Sequence, residues 1–255
     1  MKNISFNYSV FSRTAAGLVL ALLVVTTAVA SAGTVVFFDD FGSGANIEMN
    51  PSVGSWSDVA VGVEAVADSE NWFGRGTDNG ILALRGPRNP NLQGNADFSE
   101  STNWGTISMD VYEEPQADRW FQLRFGPPGA VLDLRLEDGG ISRSGFGEED
   151  VYPVGEVFRL EILYNSSANS HTYGDFTLPA QAAEVYINGV HVASNEFSGI
   201  GAWNHLNIRD ENENNGFFFL DNLTVTAGEF SVIPEPGTLA LLGLAGLLLM
   251  KRRRV

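Results

Sequence analysis

The chain has 255 residues, 44% of them hydrophobic, and contains no cysteine. That is enough for one large domain or two small ones with a core, and it excludes disulfides and any thiolate metal site. The net charge of −16 repels nucleic acid phosphates and anionic lipid headgroups, which sets nucleic acid aside as a partner.

The chain opens with a secretory pattern. Lys2 and Arg13 precede an apolar run from Ala15 to Ala30. Small residues then stand at Ala28, Ala30 and Ala32, as a leader cleavage site requires, and cutting after Ala32 is the preferred reading. Residues 1–32 are therefore expected to be a signal peptide, handled by the secretion machinery. The apolar run is nearly long enough to span a bilayer, so an uncleaved anchor helix is the alternative.

From Gly33 to Ile233 the chain holds 9 Arg, no Lys and 30 Asp or Glu, a net charge of −21. Such a surface serves solubility, or else cation binding or contact with a basic partner. Gly is abundant, at 28 residues, helical periodicity is nearly absent and strand alternation recurs. TVVFFDDF opens the body. GTISMDVYEE puts Ile107, Met109 and Val111 on one face. RWFQLRFG does the same for Phe121, Leu123 and Phe125. AVLDLRLEDGG sets Leu132, Leu134 and Leu136 against Asp133 and Arg135, then turns at Asp138-Gly139-Gly140. VFRLEILYN aligns Phe158, Leu160, Ile162 and Tyr164. In AEVYINGVHVAS, Asn188-Gly189 is a two-residue hairpin turn, because both residues tolerate positive φ. GFFFLDNLTVTAG closes the body; simple alternation there puts Phe217, Phe219, Asp221, Leu223 and Val225 on one face.

Many short strands with polar outer faces predict an all-β, antiparallel two-sheet sandwich over residues 33–228. FFDDF at the start, EVYINGVHV in the middle and FFLDNLTVT at the end resemble the concanavalin A-like jelly roll of laminin-G-like, lectin and glucanase domains. The resemblance implies a domain that binds carbohydrate or protein surfaces, or that hydrolyses glycans.

Residues 229–237 read as a linker, and 238–255 as a short hydrophobic helix with a basic end. The stretch from Gly237 to Met250 carries no charge. Its 14 residues would make a helix of about 21 Å against a bilayer core of about 30 Å, too short for a lasting anchor. Pro234 and Pro236 disfavour extending it backwards, and Lys251 to Arg254 hold the end in the cytoplasm. Pro234, Glu235 and Pro236, the apolar run and the cluster Arg252, Arg253 and Arg254 resemble the PEP-CTERM sorting signal of bacterial exported proteins. The resemblance implies a Gram-negative source and processing by an exosortase. It also implies a precursor held transiently in the inner membrane by this helix, and delivery to the outer surface or medium, often beside extracellular polysaccharide.

Chemistry inside the body is sparse. Retaining glycan hydrolysis needs two carboxyls about 5–5.5 Å apart. The laminarinase-type pattern Glu-x-Asp-x-x-Glu has its nearest match in Ser108 to Glu113, where Asp110 and Glu113 agree but Ser108 replaces the nucleophile. No enzyme activity is expected, although a glycan-active hydrolase stays the alternative. His171, His191 and His205 are scattered, without metal-ligand spacing. The acidic stretches Glu148-Glu149-Asp150 and Arg209–Gly216 read as solvated loops.

An inward-facing Asp221 needs a partner. One reading gives it a structural calcium shared with Asp39 and Asp40, as related jelly rolls tie first strand to last; the other gives it hydrogen bonds or an arginine. Among the five tryptophans, Trp72 in a loop and Trp120 beside Gln122 and Arg124 are the candidate carbohydrate platforms, with core packing as the alternative for each. The expectation is a non-catalytic exported surface protein that binds carbohydrate or matrix; a purely structural, calcium-stabilised matrix component is a further alternative.

Overall fold

The computed structural model describes residues 33–230 apart from 85–91, 116–119, 126–131, 144–145, 174–175, 197–198 and 211–216. The expected signal peptide, most of the acidic stretch 209–216, and the expected tail helix lie outside the described residues. In chain order the strands are β1 (Thr34–Asp39), β2 (Ser55–Ser57), β3 (Val63–Ala67), β4 (Gly80–Leu84), β5 (Leu92–Thr102) and β6 (Trp104–Glu113). Next come β7 (Phe121–Phe125), β8 (Leu132–Glu137), β9 (Gly140–Arg143), β10 (Phe146–Glu148), β11 (Val157–Asn165) and β12 (His171–Tyr173). The last are β13 (Phe176–Leu178), β14 (Ala182–Ile187), β15 (Val190–Glu196), β16 (Trp203–Asp210) and β17 (Phe218–Ala227).

They form an antiparallel jelly-roll sandwich. One sheet has eight strands in the order β15-β14-β11-β6-β17-β4-β3, with β1 also on β17; the facing sheet has seven, β10-β9-β8-β7-β16-β5-β2. A two-stranded ribbon, β12-β13, stands apart. The chain crosses repeatedly between the two sheets, so neither forms without the other.

Alternation decides which side chains fill the gap between them. Ile107, Met109 and Val111 of β6 are fully buried in the main core, with Phe121, Leu123 and Phe125 of β7 and Leu132, Leu134 and Leu136 of β8. Phe158, Leu160, Ile162 and Tyr164 complete it from β11. Each such side chain contributes about 1.5–3 kcal/mol by leaving water. Both anticipated turns are present, with φ of 51° and 79° at Asp138-Gly139 and 51° and 77° at Asn188-Gly189; Gly140 already belongs to β9. Two successive residues at positive φ match the twist of the strands they join.

The last strand departs from simple alternation. Phe218 and Leu220 enter the main core, while Phe217 and Phe219 pack on the opposite, outer face of the sheet. The register with β6 then shifts between Asp221 and Thr224, and Asn222 has φ 53°. This β-bulge adds one residue and flips the parity, returning Leu223 and Val225 to the core. At the same place β17 exchanges partners: Phe218 to Leu220 pair with β4, and Leu223 onward pairs with β1.

The junction of β1 and β4 requires a very close backbone approach. Gly80 N–H donates to the Gly42 carbonyl at 2.8 Å, and a Cβ on Gly80 would lie 2.0 Å from the Phe41 carbonyl oxygen. Gly80→Ala should therefore force the two strand ends apart and cost about 3 kcal/mol, read as a lower denaturant midpoint with an unchanged slope; a variant of wild-type stability would refute this close approach.

Candidate functional site

The even-numbered residues of β6 face away from the main core, and their chemistry changes along the strand. Trp104 stands at one end, then come Thr106, Ser108, Asp110 and Tyr112. The eight-residue separation of Trp104 and Tyr112 is about 27 Å at ~3.4 Å per residue.

Each end carries an aromatic cluster. At one, Trp72 stacks on Tyr112 with centroids 4.9 Å apart and packs on Phe219 at 4.5 Å. The loop holding Trp72 is fixed by Asp68, whose carboxylate accepts both the Trp72 and Phe73 N–H groups at 2.9 Å. At the other end, Trp104 stacks on His171 at 4.4 Å and meets the edge of Phe230. His171 sits against Ser167 Oγ at 3.0 Å, and burial lowers its pKa.

Between the clusters lies a continuous polar strip. Arg159 donates to Asp110 Oδ1 at 3.1 Å and to Ser108 Oγ at 2.7 Å. Asn222 Nδ2 donates to Asp110 Oδ2 at 2.6 Å, and its Oδ1 accepts from Arg75 at 2.9 Å. Arg75 also donates to Asp221 Oδ2 at 2.8 Å. The two guanidinium groups are the open parts of this array, with side chains 43% and 35% exposed for Arg75 and Arg159. Beyond Arg159, Tyr186 lies beside His191, which pairs with Glu184.

Asp221 is wholly buried at the bulge. Besides Arg75, it accepts from Asn79 Nδ2 at 3.1 Å and from the Asn222 N–H at 2.7 Å. Burial raises its pKa, and Arg75 opposes that shift. Arg75 is itself held more firmly protonated by the Asp221 bond, with help from Asp40 and Asp110. The protein groups that meet Asp221 are thus a guanidinium, a side-chain amide and a backbone N–H. Asp39 is engaged elsewhere, its oxygens accepting the Phe41 N–H at 2.8 Å and the Trp56 indole N–H at 2.7 Å, while Asp40 accepts the Gly42 N–H. Among the described residues, no group of three or more His, Asp or Glu side chains is placed to hold a metal ion.

The paired-carboxylate arrangement is also not assembled. From Asp110 to Glu113 the β6 strand is regular: it pairs in unbroken register with Asp221 to Phe218 of β17, and with β11 as far as Tyr112. Three residues on a regular strand put two side chains on opposite faces. Asp110 lies on the outer strip, whereas Glu113 is fully buried beneath the β8–β9 turn, accepting the Asp138 N–H at 3.1 Å. Its other oxygen has no well-formed hydrogen bond, and the nearby Tyr152 hydroxyl is in the same position. Burial pushes the Glu113 carboxyl up.

The two expected carbohydrate platforms fare differently. Trp72 is part-exposed at one end of the strip. Trp120 is 8% exposed on the other sheet, with the Arg135 guanidinium 4.5 Å above its ring, and offers no open platform. Trp203 is core, and Trp56 packs edge-on against Phe37. His205 contacts only its neighbour Asn204 among the hydrogen bonds found. Sequence reasoning counted Trp104 among the five tryptophans without singling it out, and missed Arg159, Arg75 and Asn222; the polar and aromatic even positions of β6, opposite Ile107, Met109 and Val111, were the available signal.

Residues 232–254 match the PEP-CTERM protein-sorting motif, which contains Pro234, Glu235, Pro236 and the terminal arginines. The chain is thus an exported protein sorted to the cell surface through an exosortase. Among the described residues no helix is long and apolar enough to cross a membrane. No curated protein matches the chain. Among solved structures, the body is similar to a sialidase at 12% identity and a TM-score of 0.49, over 78% of this chain and 19% of that one. It is similar to apo Crh5 transglycosylase at 9% and 0.49, over 78% and 87%. Similarity to the Thermotoga maritima laminarinase catalytic domain is 10% and 0.46, over 78% and 99%.

Two outcomes follow. Arg75→Met should leave the buried Asp221 without its guanidinium, held only by the Asn79 and Asn222 donors. The part-exposed arginine keeps the loss near 2 kcal/mol, below the ~3–5 of a fully buried pair. The deficit should shrink as pH falls toward 4 and Asp221 takes up a proton; a pH-independent deficit in thermal unfolding would count against the pairing. Glu113 is the second case. A carboxyl whose folded pKa is raised adds stability that is full below its ordinary value and is lost as pH rises through the raised one. Glu113→Gln should therefore raise Tm at pH 7 by about 2–4 °C and flatten the climb of Tm on acidification, whereas an equally steep climb would assign it to other carboxyls.

Proposed function

We propose that this exported protein uses the outer face of its eight-stranded sheet as a non-catalytic binding surface for carbohydrate at the cell surface or in the extracellular matrix. The observation that carries the reading is the polar strip Ser108–Asp110–Arg159–Asn222 held between the Trp72–Tyr112 and Trp104–His171 stacks. A sugar ring presents an apolar face rimmed by hydroxyls, so it is recognised by aromatic surface next to fixed donors and acceptors. The strip supplies both, with the donors and acceptors already oriented by one another.

The same geometry supports binding rather than hydrolysis. Asp110 has both oxygens committed to Arg159 and Asn222, and Glu113 lies on the far side of the sheet. The acidic body favours a neutral glycan over a polyanionic one.

The test is retention of the full mature protein on exopolysaccharide prepared from the same cells. Trp72→Ala and Arg159→Gln should each weaken retention about tenfold or more, with an unchanged far-UV spectrum and no reducing sugar released by any form. Full retention by both folded variants would remove the strip from the binding surface, and sugar release by the wild type would replace binding with catalysis.

A further inference from the structure

We propose that leader removal creates an ion pair that closes the body: the new α-ammonium of Gly33 against the carboxylate of Glu229. The inference rests on cleavage after Ala32. In that hydrolysis, water adds across the Ala32–Gly33 peptide bond. Its hydroxyl goes to the Ala32 carbonyl carbon and its hydrogen to the Gly33 nitrogen, which takes a further proton from solvent.

Three features converge on this bond. Thr34 pairs with Ala227 at the end of the β1–β17 ladder, which brings the first residue of the body to the root of the tail. The Gly33 nitrogen donates to Glu229 Oε2. A side chain there is excluded, because a Cβ on Gly33 would lie 2.4 Å from Glu229 Cβ and 2.6 Å from Thr226 Cγ2. Glu229 is itself held in place. Its carbonyl accepts the Thr106 hydroxyl at 3.1 Å, Gly228 N–H donates to the Trp104 carbonyl at 3.1 Å, and Phe230 is 1% exposed.

An amide N–H already makes this hydrogen bond in the precursor. Cleavage adds a full positive charge to it, in a body whose cations are 9 arginines against 30 carboxylates. Charge-assisted bonds of this kind are about twice as strong as neutral ones. The pair fastens β1 to the residues next to the sorting motif, which starts at residue 232. The edge where the leader leaves is therefore also the edge where the tail leaves, and the first cut tightens it before the second is made.

The experiment uses full-length protein from a strain lacking exosortase, so that the tail is retained throughout. Mass spectrometry of the N-terminal peptide should place the start at Gly33; any other start overturns both the cut and the pair. Glu229→Gln, nearly isosteric, is then compared in the processed chain and in a leader-retaining Ala30→Tyr/Ala32→Tyr precursor. The processed chain should lose about 2–4 °C of Tm and the precursor less than half of that, with the difference erased by high salt. Equal losses in the two forms, or a difference indifferent to salt, would overturn the ion pair while leaving the cut site standing.

Discussion

The buried carboxylate of Asp221 is the constraint on which the eight-stranded sheet depends. β17 is its central strand, bonded to β6 on one side and to β4 and then β1 on the other. Two strands meeting end to end along one edge leave a gap in the ladder, and backbone groups at such a gap need partners. The bulge at Asp221-Asn222 falls at that gap. It turns a carboxylate into it, where Asn79 at the start of β4, Asn222 and Arg75 meet it. A buried carboxylate alone would be too costly; one with a guanidinium and two further donors is sustained. The same arginine reaches out to Asn222 and so joins the hidden junction to the exposed strip. The bulge and the outer face of the sheet share one polar network.

Much of the fold was legible because strands report their inward face through a period of two. β6, β7, β8 and β11 alternate cleanly, and both Asx-Gly turns have the chemistry that their positive φ demands. Legibility ended where a strand breaks its period or has none. β17 reads as a single alternation, but the extra residue at Asn222 shifts every position after it, so Phe217 and Phe219 face the opposite way from Leu223 and Val225. β4, GILAL, is buried on both faces, beneath Trp72 on one side and the main core on the other, and a strand of that kind shows no alternation. β5, LQGNADFSEST, is polar enough to pass for a loop. The site was half visible: Asp221 was marked as an inward carboxylate in need of a partner, while its contact with Arg75, far away in sequence, is one that spacing along the chain cannot reveal. Trp120 illustrates the converse. Its neighbours Gln122 and Arg124 are polar, yet its ring is covered by Arg135 from the adjacent strand.

The charge distribution also bears on what the surface meets. Without a single lysine in the body, every side-chain positive charge there is a guanidinium, and those on the strip are paired with carboxylates. Arginine suits that role because its planar fork can satisfy two acceptors at once, as Arg159 does with Asp110 and Ser108. A strip built this way presents ordered hydrogen-bonding groups with little net charge, inside a strongly negative envelope. The negative envelope around it repels polyanions at a distance.

The same neighbourhood of strands also holds the two ends of the body. Cutting near a β-strand end ordinarily frays it, since terminal residues lose the partners that hold them. Here the first and last strands of the sheet are neighbours, and their outer ends are tied to β6: Thr106 to the Glu229 carbonyl and Trp104 to Gly228. Among the described residues Phe230, packed among Leu163, Leu178 and Ala182, is the last buried side chain before the sorting motif. The last described residues before the sorting motif are thus anchored by a buried aromatic side chain and by a strand, β17, that is paired on both sides.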